Sequence, residues 1–216
     1  MDKWVPDPQP PSSQNADGCP QRLYPHCLKR SCTLGRQCRQ RYLEDSMPLK
    51  WVNSAGGPLI LCDTINAPKW RGIHGSSIAT QRTDYDRACS TINFLSVLPS
   101  DGFDVLVLGD EPLRSTIFKG ALSPAIIRWV SCQSAVIADE ALENLPAALP
   151  LIEEPVTLHI NQEEIVLFDS ATAVDEAGEE LRSIIAPGGY LIGTELYKED
   201  GVFEFLVHRL VRRDDD

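Results

Sequence analysis

The sequence predicts an α+β domain that is mostly β: an antiparallel sheet or sandwich with two to three short helices. Three observations point there. Short apolar runs recur between tight-turn signals, the mark of strands joined by hairpins. Helical periodicity is confined to three short windows. No Gly-rich turn links a strand to a helix, and strands do not alternate with long helices, which argues against a parallel nucleotide-binding fold.

Each element has a local justification. Pro58 to Cys62 is a short, continuously apolar strand launched by the Gly56-Gly57 turn, and Pro58 marks it as an edge strand because proline donates no ladder hydrogen bond. Thr83 or Asp84 caps a short helix, since Tyr85, Ala88, Cys89 and Ile92 fall at i, i+3, i+4 and i+7. Phe94 to Leu98 and Asp104 to Leu108 flank Ser100-Asp101-Gly102, a hairpin signal. Ala125 to Cys132 is a strand containing Arg128 and Trp129, and Val136 to Leu145 is a helix ending before Pro146. Val156 to Ile160 and Glu163 to Phe168 flank Asn161-Gln162, a second hairpin. Asp175 to Ile185 has the pattern of an amphipathic helix, with Ala177, Leu181, Ile184 and Ile185 on its apolar side. Gly188-Gly189 ends that unit, and Tyr190 to Tyr197 and Val202 to Val211 flank the third hairpin turn at Glu199-Asp200-Gly201.

The chain divides into three parts. Residues 1–46 are read as a disordered or non-native N-terminal extension, with Met47 as an alternative start. Residues 47–211 form the folded domain, and residues 212–216 a charged tail. Charge is uneven: residues 1–50 carry eight Lys/Arg and five Asp/Glu, hence +3, and the remainder carries twelve and twenty-six, hence −14. So acidic a domain repels nucleic acid and anionic membranes and attracts basic partners. No apolar run is long enough to span a bilayer, and the N-terminus lacks the apolar core of a secretion signal. The expected location is cytoplasmic. An odd count of seven cysteines argues against a disulfide framework.

Candidate chemistry is sparse. Cys19, Cys27, Cys32 and Cys38, with His26, supply enough donors for a zinc shell, which would make residues 19–46 a zinc-dependent nucleic-acid-binding regulator. Their spacing contains no C-x2-C knuckle, and an unselected upstream extension explains them more economically. His74, His159 and His208 are scattered and adjoin no nucleophile motif. Asp84-x-Asp86 is better explained by a helix start than by a Mg²⁺ site. Gly56-Gly57-Pro58 lacks the Lys-Ser/Thr pair of a phosphate loop. No metal, cofactor or catalytic residue is expected.

Five blocks occur in order: Trp51-x-x-Ser54-x-Gly56-Gly57-Pro58-Leu59-Ile60, Trp70-Arg71-Gly72, Asp84-Tyr85-Asp86-Arg87-Ala88-Cys89, Leu108-Gly109-Asp110-Glu111-Pro112 and Arg128-Trp129. Together they resemble the immunity protein 21 family, over about residues 50–211. Members accompany bacterial polymorphic toxins and protect the producing cell. The resemblance implies inhibition by binding to the C-terminal domain of a cognate toxin, without catalysis. It makes Trp51, Gly56, Gly57, Pro58, Arg71, Arg128 and Trp129 structural motif residues. Asp84, Asp86, Asp110 and Glu111, placed at a helix start and a loop tip, are the expected acidic toxin contacts, with Trp70 as an aromatic anchor. A basic nuclease is the toxin class that an acidic inhibitor fits best. The oligomeric state stays open.

Overall fold

The computed structural model describes residues 49–109, 111–120 and 123–213. The expectations for residues 1–46, the Met47 start, the Cys19–Cys38 cluster, Asp110 and the last three aspartates lie outside them. Among the described residues the strands are β1 (Leu59–Asp63), β2 (Leu95–Pro99), β3 (Asp104–Leu108), β4 (Ser115–Lys119), β5 (Pro124–Cys132), β6 (Leu151–Ile160), β7 (Glu164–Asp169), β8 (Glu180–Ile184), β9 (Gly188–Glu199) and β10 (Phe203–Arg212). Two helices accompany them, α1 (Asp84–Cys89) and α2 (Ala135–Glu143), with isolated 3-10 turns.

The strands form two antiparallel five-stranded sheets, ordered β2-β3-β1-β7-β8 and β4-β5-β10-β9-β6. The two-residue period of each strand sorts its apolar side chains between two faces. Leu59 and Leu61 of β1, Leu106 and Leu108 of β3, and Ile165 and Leu167 of β7 point inward. They meet Ile126, Leu158, Ile160, Tyr190, Ile192 and Leu210 of the other sheet in one apolar layer. The alternate residues Ile60, Cys62, Val105, Val107, Val166 and Phe168 face outward and are covered by Ala67, Trp70, Ala88 and Phe103. On the outer face of the second sheet, α2 lays Ala138, Ala141 and Leu142 over Ile127, Phe203, Phe205 and Val207. The molecule is a sandwich with a helical or looped cover on each side, so the mostly-β expectation describes it.

Five local expectations are corrected. Asp175 to Ile185 is no helix: it contains a 3-10 turn at Val174–Glu176 and then β8, which pairs with β7 from Glu164↔Ile184 to Phe168↔Glu180. Leu181 and Ile185 are four residues apart, a spacing that suits a strand face as well as a helix face. Val156–Ile160 and Glu163–Phe168 are no hairpin, because β6 pairs with β9 whereas β7 pairs with β1 and β8. Asn161 and Gln162 instead carry the chain from one sheet to the other. β1 is central rather than an edge, and Pro58 precedes its ladder, with its carbonyl accepting from Ser170 N at 3.1 Å. Gly188 and Gly189 open β9 instead of closing a helix, and Ile92 lies beyond α1, exposed.

Candidate functional site

Three of the five sequence blocks meet at one cleft. Its walls are the Gly56-Gly57-Pro58 turn, the end of α1 with Ala88, Cys89 and Thr91, and the segment carrying Gly109, Glu111 and Pro112. Its volume is about 200 Å³. A second shallow cleft, about 260 Å³, lies on the other side of residues 53–55 and is lined also by Asp169, Thr172, Gly178 and Glu179. The loop from Asn53 to Pro58, a ridge in the sense that its residues border both clefts, lines one with Asn53–Ala55 and the other with Gly56–Pro58.

The ridge is held by hydrogen bonds. Asp169, nearly buried, accepts from Ala55 N at 2.6 Å and from Ala171 N at 2.8 Å. Ser54 Oγ donates to the Gly57 carbonyl and accepts from Gly56 N at 3.0 Å. Glu179 accepts from Asn53 N at 2.9 Å and from Asn53 Nδ2 at 3.0 Å, and these bonds hold its carboxyl below the usual range. Two glycines are required by close approach. A Cβ on Gly57 would lie 2.5 Å from the Tyr85 ring, and one on Gly109 would run into the Asn93 carbonyl and the Thr91 side chain.

The α1 wall starts from a complete capping box: Thr83 Oγ1 accepts from Asp86 N at 3.0 Å, and the Asp86 carboxylate accepts from Thr83 N at 3.1 Å. The Tyr85 hydroxyl is pushed above its usual range, first by the hydrogen bond it donates to Cys89 at the other end of the helix.

Arg128 supports the opposite wall from inside the sandwich. Its guanidinium, almost fully buried, donates to the carbonyls of Phe94 at 3.3 Å, of Gly109 at 2.7 Å and of Glu111. One side chain therefore fixes both the start of β2 and the segment that borders the cleft. Beside it, His208 is fully buried, with Nδ1 3.2 Å from Thr194 Oγ1. Burial, and then the neighbouring Arg128 charge, push the imidazole well below its ordinary range.

The residues expected at an interface divide. Trp70 is fully buried and its indole Nε1 donates to the Ser170 carbonyl at 2.9 Å, so it is part of the core and offers no surface as an anchor. Asp84 is also fully buried. It accepts from Arg71 N at 2.9 Å, from Ser77 N at 2.9 Å and from Arg87 Nη1 at 2.9 Å. That carboxylate joins α1 to the preceding loop and touches no solvent. Asp86 and Glu111 are exposed. Trp51 and Trp129 stack edge-on at 5.1 Å, with the Arg114 guanidinium 3.5 Å from the Trp129 ring centre, on the outer side of the second sheet. Arg71 contributes its backbone N–H, and its side chain is exposed.

Sequence reasoning missed Thr91 as a lining residue and the carbonyl clamp of Arg128. The available signal for the second was a lone arginine inside the apolar run from Ala125 to Val130. Among the described residues, no group of three or more His, Cys, Asp or Glu is placed to hold a metal, and no helix is long and apolar enough to cross a membrane.

Comparison with known proteins extends the reading of the five blocks. No curated protein matches the chain, and no solved structure does. The family model described as Immunity protein 21 matches residues 50–199, more than half of the chain and all but the last strand of the sandwich. The chain belongs to the immunity protein 21 family.

Proposed function

We propose that residues 47–211 bind and neutralise the C-terminal domain of a cognate polymorphic toxin, occluding its active site inside the producing cell. The observation that carries this reading is the family match over residues 50–199. Two features support it. The domain is strongly acidic, at −14 over residues 51–216, which suits fast, steered association with a basic partner such as a nuclease. The cleft at the Gly56-Gly57-Pro58 turn brings together three of the blocks that carry the family resemblance, on a framework held by internal hydrogen bonds. Binding would then need little rearrangement. Asp86 and Glu111, both exposed, and Asp110 beside Glu111 in sequence, are the proposed acidic contacts. Inhibition by occlusion requires no catalytic group and no cofactor.

The direct test is co-expression of the toxin domain encoded next to this chain, with and without it. Survival only when the chain is present, together with a stable one-to-one complex of the purified proteins, is the expected result. Equal toxicity in both cultures would remove the reading.

A further inference from the structure

We infer that the cleft between the Gly56-Gly57-Pro58 turn, the end of α1 and the residues Gly109, Glu111 and Pro112 receives a lysine or arginine side chain from the partner toxin. This rests on the proposed inhibitory function and specifies where it is exercised. Charge is the first argument. Among the described lining residues Glu111 is the one carboxylate, and none is Lys, Arg or His. Glu111 is exposed and makes no ion pair with any described residue. It stands in a domain whose net charge already favours cations.

Size is the second. About 200 Å³ between walls of glycine, alanine and proline admits one extended side chain rather than a helix or strand. The small walls leave the stem of a lysine or arginine in apolar contact while its charged head meets the carboxylate.

Preorganisation is the third. Arg128 clamps the carbonyls of Gly109 and Glu111 from below. Gly57 packs on the Tyr85 ring, and Asp169 anchors Ala55. A cleft whose walls are fixed before binding loses little conformational freedom when it is filled.

Cys89 gives a direct readout. It lines the cleft and is exposed, whereas Cys62 is buried. Tryptic cleavage after Arg87 and Arg114 isolates Cys89 as the single cysteine of its peptide. The intact chain is treated with N-ethylmaleimide, alone and with a saturating excess of the catalytically inactivated toxin domain encoded beside it. Alkylation of the Ala88–Arg114 peptide is followed by mass spectrometry. Slowing of about tenfold or more in the complex is expected for a filled cleft. A second arm measures affinity for the same domain. Glu111→Gln should weaken binding about tenfold, and Cys89→Arg, which places a cation in the cleft, by more. Glu140→Gln, on the exposed side of α2, should leave binding unchanged. Thermal melts confirm that each variant is folded. Binding by the wild-type chain with unprotected Cys89 and undiminished affinity of both cleft variants would overturn the cleft alone. Absence of wild-type binding would overturn the inhibitory reading and the cleft with it.

Discussion

Asp84 and His208 are two buried polar groups with opposite solutions. Asp84 is surrounded by donors: the N–H groups of Arg71 and Ser77 and the Arg87 guanidinium. Deleting it leaves Arg87 nearly buried without its ion-pair partner. Asp84→Ala is expected to cost about 3–5 kcal/mol, measured by urea denaturation. A loss below 1 kcal/mol would show that the carboxylate is not the anchor of this loop. His208 lacks the acceptors an imidazolium needs, for its buried Nε2 has no hydrogen-bond partner among the described residues. It faces Thr194, whose hydroxyl lies 3.5 Å from Glu153, and it lies near the Arg128 charge. Its folded-state pKa is therefore depressed below the unfolded value of about 6.5. The sign follows from proton uptake: below pH 6.5 the unfolded chain gains a proton that the folded chain refuses. Stability is fully present above that value and falls as the pH drops below it, by at most about 1.4 kcal/mol per pH unit from this group. Denaturation midpoints at pH 7 and 5.5 should separate more for the wild type than for His208→Gln.

At the scale of elements, α1 is only six residues long, too short to persist by propensity. Its capping box is thus a large share of its local stability. Thr83→Ala should destabilise the protein by about 1 kcal/mol, and hydrogen exchange should rise first at the amides of Asp86 and Arg87. Uniformly unchanged exchange would mean that tertiary packing alone fixes the helix. This element was legible, because Thr83, Asp86 and the apolar spacing after Tyr85 are neighbours in sequence. So were the hairpins at residues 99–104 and 199–203, whose turns carry Asp-Gly pairs. β4 was not legible, since five residues of mixed polarity show no sustained alternation. β8 was misread because Leu181 and Ile185 satisfy two periods at once. The Asn161-Gln162 turn was recognised, but no local residue states that it crosses between sheets. The cleft shows the same limit. Its Gly-Gly-Pro turn and the capped helix could be read singly, but their meeting with Gly109 and Glu111 depends on contacts far apart in sequence. Trp70 looked like a loop aromatic because its acceptor, the Ser170 carbonyl, is 100 residues away.

At the scale of the whole molecule, the dominant property is acidity imposed on a rigid sandwich. Apolar side chains are drawn into three layers, and most of the carboxylates remain outside them. Long-range attraction to a cationic partner then acts before any contact forms. The association rate with a basic toxin domain should fall by more than about tenfold between low and physiological salt. The dissociation rate should change much less. Stopped-flow mixing measures both, and a salt-independent association rate would remove electrostatic steering from the account.

Strand order also sets a timetable. β10 occupies the centre of its sheet, between β5 and β9, although it is the last of the described strands to be synthesised. β1, the centre of the other sheet, waits for β7, which follows it by about a hundred residues. Neither sheet can be completed during most of translation, and such distant pairing is slow. Under the proposed function, a cell making toxin and antidote together therefore gains no protection from a partial antidote. Ribosome-bound chains ending before Phe203 should remain sensitive to protease, and full-length released chains should resist it. If the proposed function holds, protection in this architecture begins as a discrete event after synthesis, which makes the relative timing of the two proteins as consequential as their affinity.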